Sequence, residues 1–170
     1  MERWVVLVGY MGVGKSTVGP LLADELGVGF TDADEAIESF AGMPIPEIFP
    51  RRGEVWFRRT EERVIRDVLA GDAGVFALGG GAVESAKTRD LLGRRAHVVW
   101  LRLDPERSWE RVSGSDRPLA TDRGRFLRRA ARREPLYAEV ADQTVDADAA
   151  PGAVTAAIAD GVAAAGPGGG

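Results

Sequence analysis

The sequence contains no cysteine and only one histidine, His97. The absence of cysteine excludes disulfides, thiolate metal sites and cysteine nucleophiles, and it fits a reducing compartment. His97 begins the strand-like segment 97–101, which favours a structural role for this residue over acid–base catalysis. Any proton acceptor in this protein should therefore be a carboxylate.

Long apolar segments and concentrated positive charge are also missing. No charged segment followed by an apolar stretch opens the chain, and no apolar run reaches the roughly 18 residues that a membrane helix needs. The net charge of −4 is spread over helices of mixed sign, so no basic face favours nucleic acid as a partner. We expect a cytoplasmic monomer that contacts neither membrane nor nucleic acid.

A short apolar run, residues 5–8, leads into a glycine-rich segment that opens a helix. This segment matches the Walker A pattern of a phosphate-binding loop, with the strand before it and the helix after it that the motif requires. Its glycines let backbone N–H groups approach phosphate oxygens, while the positive end of the helix favours the anion. Lys15 would reach the outer phosphates, and Ser16 would hold Mg²⁺. The predicted ATP-binding residues here are Gly12, Val13, Gly14, Lys15, Ser16 and Thr17.

Strand and helix patterns alternate along the 170 residues, which fit one domain spanning residues 1–165. The alternation predicts a three-layer α/β fold with a parallel sheet, whose ligands bind beyond the carboxyl ends of the strands. Pro44 and Pro46 should end a short helix, the polar segment 113–122 should be a mobile lid, and the glycine-rich end 166–170 should be disordered. The expected strands cover residues 3–8, 29–31, 75–78, 96–103 and 143–145, and the expected helices cover 15–26, 36–40, 54–69, 105–112, 124–138 and 151–165.

Polar residues outside the phosphate loop predict a second pocket. Asp32 and Asp34 follow the second strand two residues apart, so their carboxylates should point the same way, toward the phosphate loop. For Asp34 the alternative is a helix cap for the segment at Ala36. Three consecutive glycines follow the third strand. Each costs conformational entropy, so they are not explained by stability, and we expect something to approach their backbone closely. The alternative is a flexible connector. These glycines are Gly79, Gly80 and Gly81.

Two arginines on separate helices complete this candidate pocket. Arg58 lies on the helix expected at 54–69, and Arg133 lies on the helix expected at 124–138. Two guanidiniums in one pocket imply an anionic acceptor, because the guanidinium fork matches a carboxylate. Surface charge is the alternative for both arginines, and we expect Glu61 and the other charges near Arg58 to form a solvated face.

A phosphate loop by itself leaves open GTPases, ATPase motors, nucleotide kinases and small-molecule kinases. The sequence contains no asparagine, so the Asn-Lys-x-Asp element by which GTPases recognise guanine is absent. A chain of 170 residues also leaves no room for motor modules, so a small kinase remains. Two alternatives stay open: a kinase of another small hydroxy acid such as gluconate, and a nucleotide-binding protein without turnover.

Several separate motifs resemble those of the shikimate kinase family, from Val5 to about Ala159. The resemblance implies phosphoryl transfer from ATP to the 3-hydroxyl of shikimate, a step of chorismate and aromatic amino-acid biosynthesis. It also implies a P-loop kinase fold similar to that of nucleoside-monophosphate kinases, with a five-stranded parallel sheet in the order 2-3-1-4-5. The motifs are the loop from Gly9 to Gly19, Asp32-x-Asp34, the segment from Gly53 to Glu61, the triple glycine, Arg117-Pro118-Leu119, and the segment from Arg133 to Tyr137.

The same resemblance implies roles for individual residues. Arg117 would be the lid arginine and would contact ATP, and Ala120 departs from the family, which usually has a second leucine there. Catalysis would depend on Lys15, Asp34 and Arg117. Shikimate would be held by Asp34, Arg58, Gly80 and Arg133 together with the neighbouring Gly79 and Gly81, and Mg²⁺ by Ser16 and Asp32.

Overall fold

The computed structural model describes residues 3–113 and 122–166. Helices surround a five-stranded parallel sheet with the order β2-β3-β1-β4-β5, which confirms the predicted fold class and strand order. The strands are β1 (Trp4–Val8), β2 (Phe30–Asp32), β3 (Val75–Ala77), β4 (Ala96–Arg102) and β5 (Gln143–Asp146). The helices are α1 (Lys15–Leu26), α2 (Ala33–Ala41), α3 (Ile45–Arg52), α4 (Glu54–Leu69), α5 (Ala86–Arg95), α6 (Pro105–Val112), α7 (Arg123–Val140) and α8 (Pro151–Ala165), with a 3₁₀ turn at Ala82–Glu84.

Strand β1 lies at the centre of the sheet, and all five of its residues are buried. It pairs with β3 on one side, where Leu7 faces Ala77, and with β4 on the other, where Val8 faces Trp100. Because all three strands run in the same direction, their carboxyl ends meet at one edge of the sheet. In sheets of this kind that edge is where ligands bind.

The buried apolar side chains form two clusters. The larger one lies on both faces of the sheet and includes all of β1. The smaller one lies among α2, α3 and α4, away from the sheet, and its buried members are Ile37, Ile48, Phe57 and Val64. Helix α4 contributes to both clusters, so it joins this second packed unit to the sheet.

The helix expected before Pro44 and Pro46 does end before them, at its C-cap Gly42. The sequence did not predict the second helix, α3, which begins at these prolines. Pro44 is the N-cap of α3, and Pro46 lies in its first turn. The first N–H groups of a helix lack partners within the helix, so proline costs little at these positions and its fixed φ favours helix entry. These prolines start α3 instead of preventing it.

The expected solvated face of α4 is also wrong at one residue. Glu61 is 3% exposed, although its neighbours in sequence are charged. Conversely, the apolar side chain of Val55 on the same helix is 68% exposed. Within the described ranges, no helix is long and apolar enough to cross a membrane.

The approach of β2 to the start of β3 gives a test of the fold. A Cβ atom at Gly74 would lie 2.6 Å from the backbone oxygen of Gly29, which accepts a hydrogen bond from Val75. We expect Gly74→Ala to lower the free energy of unfolding by about 1–3 kcal/mol, because one of the two backbones must shift.

The matched control is Gly93→Ala on the exposed side of α5, where a Cβ atom would meet open space. This substitution should raise the free energy of unfolding by about 0.5–1 kcal/mol, because alanine favours helix more than glycine does. Urea denaturation measures both values. A Gly74→Ala variant as stable as the wild type would contradict the close approach.

Candidate active site

The phosphate loop follows β1 and ends at Gly14, the N-cap of α1. Gly9, Gly12 and Gly14 have φ values of 147°, 80° and 99°, which side-chain-bearing residues rarely adopt. A Cβ atom at Gly9 would lie 2.7 Å from the backbone oxygen of Leu101, so the loop also passes too close to β4 for any larger residue. The glycines thus set both the turn and its position against the sheet.

Lys15 and Ser16 begin α1 and face a cleft of about 420 Å³. The Lys15 ammonium donates hydrogen bonds to the backbone oxygens of Gly9 (2.6 Å) and Tyr10 (3.0 Å), so its charge lies over the loop. The N-terminal end of α1 adds positive partial charge to the same place. This end of the cleft is suited to an anion such as a phosphate. Gly12, Val13, Gly14 and Thr17 also line the cleft.

Asp32 and Asp34 line the same cleft, but only Asp32 belongs to the end of the strand. Helix α2 begins at Ala33, and Asp32 is its N-cap, whose Oδ1 accepts from the backbone N–H of Asp34 (2.8 Å) and Glu35 (3.3 Å). The strand periodicity invoked for the pair therefore does not apply, because Asp34 lies in the first helical turn. The alternative in which Asp34 caps a helix at Ala36 is wrong as well, since Asp32 is the cap.

The oxygen groups in the cleft fit a magnesium ion. Ser16 carries a hydroxyl on the first turn of α1, and Asp32 supplies a carboxylate from the end of β2. The described part of the chain contains no group of three or more His, Cys, Asp or Glu side chains that could hold a metal alone. Mg²⁺ is ordinarily bound by one or two carboxylates together with substrate phosphates, so this small donor set suits it.

Arg58 and Arg133 come together at Gly81. A Cβ atom at Gly81 would lie 2.6 and 2.7 Å from the two terminal nitrogens of Arg58, and 2.8 Å from Nη2 of Arg133. The two guanidiniums come from α4 and α7, and glycine leaves them room to meet. Two like charges this close need negative charge nearby to offset their repulsion.

Each of these arginines has a carboxylate partner that sequence reasoning missed. Arg58 donates to Oε1 of Glu61 at 2.7 Å, and Arg133 donates to Oε2 of Glu84 at 3.1 Å. Glu84 also accepts from Arg132 at 2.9 Å. The available signals were the i,i+3 spacing of Arg58 and Glu61 and the position of Glu84 just after the triple glycine.

The two carboxylates differ in their electrostatics. Burial raises the pKa of Glu61 above its ordinary value, Arg58 offsets this only in part, and the charge of Asp34 raises it further. Burial acts against the charge of Glu84 too, but Arg133 and Arg132 outweigh it and hold the pKa of that carboxyl below its ordinary value. The surroundings of Glu84 therefore favour its ionised form, whereas those of Glu61 disfavour it.

The triple glycine lies between the phosphate loop and the two arginines. A Cβ atom at Gly79 would lie 3.2 Å from Glu61 Oε2 and 3.4 Å from Asp34 Oδ1, and one at Gly80 would lie 3.5 Å from the backbone oxygen of Gly9. The hydroxyl of Tyr137 donates to the backbone oxygen of Gly80 at 2.6 Å. The acceptor candidates Asp34, Arg58, Gly79, Gly80, Gly81 and Arg133 thus surround one region beside the phosphate loop.

Arg111 is a further cleft residue that the sequence did not single out. It lies on α6 and donates to the backbone oxygens of Gly12 (3.2 Å) and Ala147 (3.2 Å), so it joins the phosphate loop to the segment after β5. Nothing in its sequence context separates it from the other arginines of α6. The predicted lid arginine, Arg117, and residues 114–121 of the predicted lid lie outside the described residues.

Comparisons with known proteins agree with this geometry. The shikimate kinase family model matches residues 11–163. The shikimate kinase of Symbiobacterium thermophilum is 42% identical over 85% of this chain and 86% of its own length, and that of Streptomyces coelicolor is 45% identical over 93% and 94%.

Solved structures give the same result. The shikimate kinase of Acinetobacter baumannii in complex with shikimate is 34% identical, covers 98% of this chain and 96% of its own, and has a TM-score of 0.91. A gluconokinase from Sinorhizobium meliloti reaches a TM-score of 0.65 at 18% identity, which is a likeness of fold alone. The chain belongs to the shikimate kinase family.

Proposed function

We propose that this chain transfers the γ-phosphoryl group of ATP to the 3-hydroxyl of shikimate. The observation that carries the proposal is the meeting of the Arg58 and Arg133 guanidiniums at Gly81, beside a phosphate-binding loop. A P-loop supplies the phosphoryl donor site, and a pair of guanidiniums outside it selects an acceptor with a carboxylate. Shikimate has both the carboxylate and a hydroxyl to be phosphorylated.

On the nucleotide side, the backbone of Gly12 to Thr17 holds the phosphates and Lys15 supplies positive charge where negative charge develops. Ser16 and Asp32 are the residues that would hold Mg²⁺, which neutralises phosphate charge when bound. Phosphoryl transfer has a loose transition state, so positioning and charge neutralisation account for most of the catalysis. Arg117 remains a predicted contributor of charge from the lid.

On the acceptor side, Arg58 and Arg133 bind the carboxylate and thereby fix the ring of the acceptor. Asp34 lines the cleft next to the phosphate loop and close to Gly79, which suits it to accept a hydrogen bond from the attacking hydroxyl. Holding the hydroxyl in line with the γ-phosphorus makes the transfer effectively unimolecular, which lowers its entropic cost. Gly79, Gly80 and Gly81 allow the acceptor to approach the backbone between these side chains.

The alternative acceptor, gluconate, has weaker support. The gluconokinase structure shares only the fold with this chain, because the two sequences are 18% identical. We further propose that residues 1–165 act as a single-domain cytoplasmic monomer that requires Mg²⁺ and needs neither nucleic acid nor membrane.

A coupled assay of ADP release with shikimate, quinate and gluconate tests the function. We expect turnover with shikimate and at least about 10²-fold less after Lys15→Ala, because one charged donor to the developing charge is lost. Circular dichroism should show an unchanged fold, since Lys15 contacts loop oxygens and not the core. A preference of the wild type for gluconate, or a Lys15→Ala variant with near-native kcat, would refute the proposal.

Gly81→Ala tests the acceptor site. The φ of Gly81 is −93°, which alanine adopts freely, but its Cβ atom would push both guanidiniums aside. We expect the KM for shikimate to rise roughly 10- to 100-fold, the equivalent of one charge-assisted hydrogen bond, while the KM for ATP stays within about twofold. Gly93→Ala should change neither. Equal rises in both KM values would place the arginines elsewhere than at the acceptor.

Glu61→Gln tests the burial of a carboxylate beside Arg58. Because the folded-state pKa of Glu61 is raised, its stabilising contribution is complete below pH 4.5 and is lost as pH rises through the folded value. Glutamine does not titrate, so the free energy of unfolding of the variant should rise relative to that of the wild type as the pH increases above 4.5. Urea denaturation at a series of pH values, with Glu62→Gln as the control on α4, measures this. Parallel pH profiles for all three proteins would contradict it.

A further inference from the structure

The three carbonyl groups of the triple glycine are all engaged, but not by the same kind of donor. The oxygen of Gly79 accepts from the backbone N–H of Ala82, and that of Gly81 accepts from the N–H of Glu84, both at 3.1 Å. The oxygen of Gly80 accepts from the side chain of Tyr137 at 2.6 Å. The middle carbonyl is therefore held by a residue from a distant helix, whereas its neighbours are held by the turn itself.

A glycine peptide needs such a restraint. With no Cβ atom on either side, the peptide unit between Gly80 and Gly81 can rotate at little steric cost. Its carbonyl oxygen and the N–H of Gly81 point in opposite directions because the unit is planar and trans. Fixing the oxygen of Gly80 therefore also fixes the direction of the Gly81 N–H, for which no described residue is an acceptor.

Tyr137 is well suited to hold this peptide. It is 2% exposed, and its ring lies against Trp100 with 6.0 Å between the ring centroids. Burial raises the pKa of Tyr137 far above its ordinary value, although Arg133 acts in the opposite direction. The hydroxyl therefore keeps its proton and can donate it in the hydrogen bond.

The position of Tyr137 on α7 links the peptide to the acceptor arginine. Arg133 lies one helical turn before Tyr137, so both side chains leave the same face of the helix. A Cβ atom at Gly80 would lie 3.4 Å from the Tyr137 hydroxyl and 3.5 Å from Nη1 of Arg133. One helix face thus places a guanidinium beside the acceptor pocket and sets the backbone next to it.

We propose that Tyr137 is a positioning residue for the acceptor, which orients the Gly80–Gly81 peptide so that its N–H adds a third donor where Arg58 and Arg133 meet. This inference rests on the proposed function, because it assumes that the acceptor carboxylate binds at Gly81. Tyr137 itself contacts the peptide and not the acceptor.

Tyr137→Phe tests the inference, since it keeps the ring against Trp100 and removes only the hydroxyl. We expect the KM for shikimate to rise roughly three- to tenfold, which corresponds to one neutral hydrogen bond, while the KM for ATP changes less than about twofold. A structural role alone would lower the melting temperature without separating the two KM values.

Thr155→Val is the matched control. Thr155 is also buried, and its hydroxyl donates to a backbone oxygen, that of Pro151 at 2.8 Å. Its loss should leave the ratio of the two KM values unchanged. An equal shift of that ratio in both variants would overturn the inference.

A second measurement uses the wild-type sequence and does not depend on the folding of Tyr137→Phe. The chain has two tyrosines, so labelling with 3-fluorotyrosine gives two fluorine resonances, and Tyr10→Phe assigns them. The resonance of Tyr137 should shift on addition of shikimate alone and stay in place on addition of an ATP analogue alone.

The outcomes separate the two levels of the argument. A wild type that does not phosphorylate shikimate overturns both the proposed function and the role of Tyr137. An active wild type, with a Tyr137→Phe variant of unchanged KM ratio or a Tyr137 resonance insensitive to shikimate, overturns the positioning role alone. An active wild type with a selective rise in the KM for shikimate and a shikimate-dependent resonance supports both.

Discussion

The close approach of Gly9 to the end of β4 is the constraint on which the rest of the site depends. A side chain at Gly9 would collide with the carbonyl of Leu101, and the oxygen of Gly9 lies near Gly80 on its other side. The phosphate loop is therefore held between the ends of β4 and β3. Because the register pairs Leu7 with Ala77, both glycine segments emerge at the same level of the sheet. The phosphate loop and the proposed acceptor site are neighbours because of this register.

Two guanidiniums carry positive charge in the site, and each is paired with a carboxylate. The two carboxylates differ in how strongly their surroundings favour the ionised form. Arg133 is 5% exposed and lies beside Glu84, which the arginines around it keep ionised. Arg58 lies beside Glu61, whose burial opposes its charge. A buried arginine without a partner would be costly, and Glu84 offsets this cost for Arg133. Each carboxylate accepts hydrogen bonds from only some of the N–H groups of its arginine. The remaining N–H donors are available for an anionic ligand.

The sequence was sufficient for the parts of this protein that local patterns encode. Glycine spacing predicted the phosphate loop, and the alternation of strand and helix predicted a parallel α/β sheet, while the resemblance to the family supplied the strand order. It failed where a residue has a role through tertiary contacts: Glu61 has a charged sequence context yet is buried. It also missed α3, which has Pro46 in its first turn. Tyr137 belonged to a quoted motif, but only the fold shows that its hydroxyl reaches Gly80. Such contacts join residues far apart in sequence, and no local pattern records them.

The division of the apolar core assigns the two arginines at Gly81 to different packed units. The phosphate loop, the triple glycine and α7 pack on the sheet, whereas the start of α4, which carries Arg58, packs with α2 and α3 on the smaller cluster. The buried members of the smaller cluster lie on α2, α3 and α4, and none of them belongs to the phosphate loop. In the proposed function, the acceptor binds where the two packed units face each other, at Gly81, where an arginine from each unit meets the same glycine.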